Sequence, residues 1–493
     1  MEYVRRNFEP YIREQAILYL EKRFESDVEL TSIQVDLPWA AAMALLWHGK
    51  VALVTATGDG LVMRHKGRRD VPPMFLLRHF EATIDVQTVF SGAKDVPLVL
   101  LEGMEIHVPP QGERPDFTQN ADIRTAVRIG RVEIREASLT IHPRDRTRAP
   151  LKFQLHEVNL DSVRSGDEMR YDAYLTIPRP QGQIHSTGNF GPWAADEPSD
   201  TPLSGDYRFD DADLGVFNGI AGILHSKGSF EGQLGSVIAR GEADVPDFRL
   251  KMTGHTVPLM TSFEAVVDGT NGNTTLKPVR ARLGSTSFTT SGAVIRHEGD
   301  TRKSIALDVH MPAGNLSDVL KLAMKDSPLL SGILHLDTTI VIPPLSGTVR
   351  EKLKLDGRFE VTGGKFLRST IQDQIDSLSR KGQGKPNNRE VDEVVSRMAG
   401  EFVLEDQVIT FRTLAFAVTG AAINLNGVYD LDADTLDFHG ALALDAKISQ
   451  TQSGWKRWVL KPVDPFFAKN GAGTFVKIKI DGPAKQPKFG RDR

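Results

Sequence analysis

The chain has 493 residues, 40% of them hydrophobic and 25% charged, a balance typical of folding sequences and not of disordered tails. A net charge of −4 argues against a dedicated nucleic-acid binder, and the absence of cysteine excludes disulfides, thiolate metal sites, iron–sulfur clusters and cysteine nucleophiles. Forty-three glycines point to many turns.

Residues 1–30 read as a helical segment. Phe8, Ile12, Ala16, Leu20 and Phe24 recur every fourth residue, and Pro10 stands where a first turn tolerates it. This stripe is expected to cap the end of a β-structure. The longest apolar run, Trp39–Trp47, is about half the roughly 20 residues a bilayer span needs, and the start has no signal-peptide core. The sequence as it stands is therefore expected to lack both, with any membrane anchor coming from an upstream helix.

From about residue 31 the apolar period becomes two. Clear runs place Ile305, Leu307, Val309 and Met311 on one face, then Leu334, Leu336, Ile340 and Ile342, then Leu353, Leu355, Phe359 and Val361. Further runs hold Ile423, Leu425, Tyr429 and Leu431, then Leu442, Leu444, Ala446 and Ile448, then Val476, Ile478 and Ile480. Turn chemistry separates them, around Asp268, Gly363 and Asp432. Helical crossovers between strands are mostly missing, so the spacing predicts an antiparallel meander of quasi-repeated strands. The expected organisation is a β-sheet region over 31–330 and a C-terminal region over 331–493 with a helical insertion near 367–399.

Three regions break the pattern, the middle one with two stripes. Leu316, Val319, Leu320 and Ala323 form a helical stripe behind Asn315, a residue suited to capping. Ile371, Ile375 and Leu378 form a second, and Val391, Val394, Val395 and Met398 a third, with a polar loop between them. A last helical stretch near Trp455–Asn470 is interrupted at Pro462 and Pro465.

The chemistry-bearing motifs are incomplete. The histidines lack HxH or HExxH spacing, and His107, His310, His335 and His439 fall within strand patterns, mostly on the polar face. Asp430, Asp432, Asp434 and Asp437 suggest calcium, but Thr435 and Ala441 stand where an EF-hand needs Gly and Glu. Gly382 and Gly384 lack phosphate-loop spacing, and Gly471 and Gly473 lack a third glycine in register. Ser91–Lys94 and Ser453–Lys456 have SxxK spacing without the partner motifs. Basic residues gather at Arg64, His65, Lys66, Arg68 and Arg69, and at Lys485, Lys488, Arg491 and Arg493. They suit solvated loops or anionic lipid headgroups. No enzyme, cofactor, metal or nucleotide site is expected. The apolar face itself is the feature of interest, either covered as a dry core or open as a trough, and alternation alone is the same in both.

The stretch from Gly400 to Gly490 carries a Gly-x-Tyr-Asp-Leu turn at 427–431, DPFF-x-K-x-G-x-G-T at 464–474 and Gly…Pro-x-Phe-Gly at 482–490. It resembles the C-terminal region of AsmA-like proteins, and residues 60–75 and 103–110 resemble N-terminal parts of bacterial members. The resemblance implies a mainly β protein whose long, twisted antiparallel sheet forms an apolar groove. It also implies a non-enzymatic envelope protein, periplasmic and inner-membrane anchored, that handles phospholipids between the two membranes and has other envelope proteins as partners. An assembly factor for outer-membrane proteins is the alternative. With a groove, alternation selects Leu353, Leu355, Phe359, Leu442, Leu444, Val476, Ile478 and Ile480 as lining candidates.

Overall fold

The computed structural model describes residues 26–36, 53–65, 68–85, 93–109, 126–142, 150–164, 167–192, 197–297, 302–383, 394–444, 474–484 and 486–492, with parts of 10–22, Ala194 and Asp300. The strands are β1 (Ser26–Asp36), β2 (Leu53–His65), β3 (Phe75–Asp85), β4 (Ala93–Val108), β5 (Ala126–Ile141), β6 (Leu151–Arg164), β7 (Met169–Pro178), β8 (Gln181–Phe190) and β9 (Pro202–Asp213). There follow β10 (Ile220–Ala221), β11 (Ile223–Gln233), β12 (Ser236–Val245), β13 (Arg249–Leu250), β14 (Leu259–Val267), β15 (Thr274–Leu283), β16 (Thr286–Ile295), β17 (Ser304–Asn315) and β18 (Leu330–Ile342). The last are β19 (Lys354–Phe366), β20 (Ser396–Glu405), β21 (Val408–Val418), β22 (Ala421–Asp430), β23 (Thr435–Leu444), β24 (Thr474–Pro483) and β25 (Lys488–Arg491). Among the described residues, 23 strands belong to one open sheet and β10 pairs with β13. The expected mainly β, meandering fold is present.

The chain divides into two compact units. The first holds Met1–Val216, Leu224–Gly241 and Val266–Gly272. Its strands β1 to β9 pair in sequence, antiparallel except at one place. There β4 and β5 run parallel, from Ala93 beside Ala126 to Val108 beside Ile141. This corrects the expectation of a pure meander. The connection from Val108 to Ala126 is long enough for a crossover, which a parallel pair requires and a hairpin does not. Val28, Leu30, Leu61, Met63, Leu77, Met104, Val132 and Ile134 form this unit's core, and Ile17 and Leu20 pack against it. Arg13 donates from Nε to the Leu30 carbonyl at 2.7 Å, so the N-terminal helix is tied to β1 at the sheet edge.

The second unit holds Phe217–Ile223, Glu242–Ala265 and Asn273–Arg493. Strands β15 to β25 pair antiparallel in strict sequence. The β17–β18 and β19–β20 connections, at one end of the strands, hold α1 (Leu316–Ala323) and α3 (Ser369–Gly382). The β18–β19 connection at the other end holds α2 (Val349–Lys352). Asn315 caps α1 as its position suggested, accepting from the Ser317 N–H. Leu320 and Val319 then pack on Met311, Leu334 and Val361. Buried Asp318 accepts from Ser285 N, Ser285 Oγ and Thr286 Oγ1 at 2.9, 2.6 and 3.1 Å, fixing α1 to the β15–β16 turn.

Helix α3 places Ile375 and Leu378 against Val394, Val418 and Ala421. The third predicted stripe is not helical where it is described. Val394 and Val395 precede β20 in non-helical chain, and Met398 lies within β20. Adjacent β-branched residues lower helix propensity, and Gln372 and Asp376 of α3 satisfy the Val394 carbonyl and N–H at 3.1 and 3.0 Å. Phe8, Ile12, Phe24, Trp39–Trp47, Val391 and the stretch near Trp455–Asn470 lie outside the described residues. No helix among the described residues is long and apolar enough to cross a membrane.

Candidate functional site

Register, more than any single residue, builds the site. In antiparallel strands directly opposed residues share a face, so pairings can be followed from strand to strand. One row runs Met311, Leu336, Phe359, Gly400, Leu414, Leu425, Gly440, Ile478, Arg491 from β17 to β25. The next begins in β15 and runs Val279, Thr290, Val309, Thr338, Gly357, Phe402, Phe411, Gly427, Phe438, Ile480, Phe489. A third runs Leu276, Gly292, Leu307, Ile340, Leu355, Leu404, Ile409, Tyr429, Leu436. On the α1 side of these, Leu334, Val361, Met398, Phe416, Ile423, Leu442 and Val476 form a fourth. The rows cross the strands at right angles. Eleven strands at about 4.8 Å spacing make the second row roughly 48 Å long.

Seven of the eight predicted lining residues fall on this one face: Leu355, Phe359, Leu442, Leu444, Val476, Ile478 and Ile480. Leu353 does not lie in a strand. It is the C-cap of α2, and its N–H bonds the Val349 carbonyl. All eight are half-buried, not buried. Leu444 also packs beside Val418 and Ala421 under α3.

Alternation found Phe359 but missed the rest of the aromatic surface. Phe359, Phe402, Phe411 and Phe438 form a chain of rings with successive centroid separations of 6.2, 6.5 and 5.7 Å. For Phe411 the cause is local: a register shift between Phe411 and Leu414 puts both side chains on the apolar face, although they are an odd number of residues apart. Glycines next to phenylalanines along the row were the available signal. Phe489 on β25 is 75% exposed and extends the row to the last strand.

Burial separates two parts of the face. Beneath α1, Met311, Leu334 and Val361 are buried. Across the rows, most of the large apolar side chains are only half-buried, with Val279, Leu404 and Phe438 buried. The largest side chains below 2% exposure among the described residues are Thr201, Thr286 and Ser379, and none is a large hydrophobe. A sheet sandwiched in a dry core would bury its Leu, Ile and Phe more completely.

The opposite face is polar. His310 Nδ1 lies 2.5 Å from Asp337, whose other oxygen meets Arg358 at 3.0 Å. These partners, the His310 hydrogen bond first, hold the Asp337 carboxyl below the usual carboxylate range. Lys479 bridges Asp437 and Asp481 at 3.3 and 3.4 Å. His439 meets Asp492 at 3.0 Å and His335 stands opposite Glu360; in the first unit, His107 meets His142 at 3.2 Å. Asp430 serves a turn, accepting from the Asp432 and Ala433 N–H groups at 2.9 Å each, and Tyr429 donates to Asp434. Of the basic clusters, Arg68 pairs with Asp70 at 2.6 Å, while Lys66, Lys485 and Arg493 lie outside the described residues, as do Gly384, Gly471, Gly473, Ser91 and Ser453.

No family model, no curated protein and no solved structure matches the chain.

Proposed function

We propose that this chain is a non-enzymatic envelope protein of AsmA type that binds or conducts phospholipids along the apolar face of its C-terminal sheet. The observation that carries this reading is the row from Val279 to Phe489, which crosses eleven consecutive strands and in which only Val279 and Phe438 are buried. An acyl chain lying along it exchanges water for Val, Phe and Ile side chains, at about 0.8 kcal/mol per buried methylene. Moving by one strand spacing replaces each contact with a similar one, so the barrier along the row is low compared with leaving it.

The polar face, with its ion pairs, keeps the opposite side of the same sheet in water. No energy-coupling site enters this reading, and flow is passive or driven by a partner. The periplasm is the compartment that suits it, between the inner and outer membranes, with an inner-membrane anchor and other envelope proteins as partners. Purification without detergent, solvent extraction and mass spectrometry test it. Co-purified phospholipid supports lipid handling. A lipid-free chain that captures unfolded outer-membrane strand peptides instead supports the assembly alternative, in which a sheet edge takes up a client strand.

A further inference from the structure

Along the margin of the rows away from α1, the ends of three strands, β17 to β19, meet. Ile305, the second residue of β17, lies opposite Ile342, which closes β18, and Val341 stands opposite Lys354, which opens β19. Just beyond them, Lys352 Nζ donates to the Leu345 carbonyl at 2.8 Å and Arg302 Nη1 donates to the same oxygen at 3.3 Å. The two cationic nitrogens are therefore within about 6 Å of one another. Neither side chain pairs with a carboxylate among the described residues. Glu351, next to Lys352 in sequence, is occupied by the Thr348 N–H at 3.0 Å in the α2 capping box. Burial and the neighbouring Arg302 both push the Lys352 ammonium below its usual range, as expected for two like charges held together without a counter-ion. On the far side of α2, Arg350 donates to the Leu431 carbonyl at 2.6 Å, and the Leu431 N–H bonds the Gln407 carbonyl at 2.9 Å. The helix is thus pinned to the adjoining hairpin turns.

We infer that Arg302 and Lys352 form a phosphate site at the margin of the apolar rows beside β17 to β19, where the headgroup phosphate of an amphiphile docks while its acyl chains lie along Ile305, Ile342 and Leu355. An anion between the two supplies the missing counter-charge, and Arg350 acts as a positioning residue for α2. This deepens the lipid reading and rests on it.

The test titrates the full chain, wild type and Arg302→Gln/Lys352→Gln, with dihexanoyl phosphatidylglycerol, dihexanoylglycerol and glycerol phosphate, followed by calorimetry. Circular dichroism and thermal melting check the fold, and Lys352→Gln alone serves if the double variant is unstable. The wild type is expected to prefer the phospholipid over the neutral lipid by on the order of tenfold. In the variant the two lipids should bind alike, with the neutral lipid unchanged. An undiminished preference in a folded variant overturns the site and leaves the lipid reading standing. If neither lipid binds the wild type, the lipid reading fails. Glycerol phosphate then decides the anion site separately: binding lost in the variant keeps it for free phosphate, and no binding overturns it.

Discussion

The ring of Phe359 on β19 lies over Gly400, its direct partner on β20: a Cβ built on Gly400 would stand 2.9 Å from Phe359 Cε1. Phe438 covers Gly427 in the same way, at 2.9 Å from Cδ1. Each large ring occupies the space its neighbour leaves empty, which keeps the rows level and covers the glycine backbone. Gly400→Val should therefore force the ring aside and destabilise the C-terminal unit by about 1–3 kcal/mol in urea titration. An unchanged midpoint contradicts this packing.

Two classes of apolar position should respond differently to one charge. Leu334→Asp and Val361→Asp place a carboxylate in the buried cluster under α1, and unfolding of the unit is expected because an unpaired buried charge is very costly. Ile478→Asp and Ile480→Asp place it on the half-buried row, where water reaches it. These variants should keep their circular dichroism spectrum and lose lipid affinity by roughly tenfold. Leu444→Asp should fall between, because Leu444 packs under α3.

Asp318 anchors α1 through three donated hydrogen bonds from Ser285 and Thr286. Asp318→Ala leaves those donors without their acceptor, at a cost of about 1–3 kcal/mol. Hydrogen exchange should then show faster opening in α1 and at Met311 than in β22 to β24. A uniform change across the unit contradicts a local anchor.

The polar face predicts a pH dependence. Asp337 has its folded-state value depressed by His310 first and Arg358 second, so its stabilising contribution is present above the unfolded value of about 3.9 and is lost as pH falls through the folded value. Asp337→Asn should lower stability at pH 7 by under ~1 kcal/mol, since the pair is largely exposed, and the difference from wild type should shrink below about pH 4. A difference that grows in acid contradicts the assignment.

Much of the fold was legible because alternation survives wherever a strand is regular. The runs at 305–311, 334–342 and 476–480 are strands with the expected face. Phe411 was not legible, because a register shift changes which positions share a face and is invisible to a period of two. The parallel β4–β5 pair escaped for a related reason: strand patterns give no direction, and only the length of the connection hints at it. Leu353 was read into a strand because it continues the parity of Leu355 and Phe359, while the Thr348–Glu351 capping box holds it at the end of a helical turn. The Arg302–Lys352 pair joins residues 50 positions apart through a main-chain oxygen, and no spacing rule finds that.

The central claim is tested most directly by a photo-crosslinking residue placed at Phe402 or Ile480 on the row, and at Arg358 or Lys477 on the opposite face, in protein incubated with phospholipid vesicles. The account predicts acyl-chain adducts at the first two positions and none at the second two. Adducts on neither face, or equally on both, would contradict it.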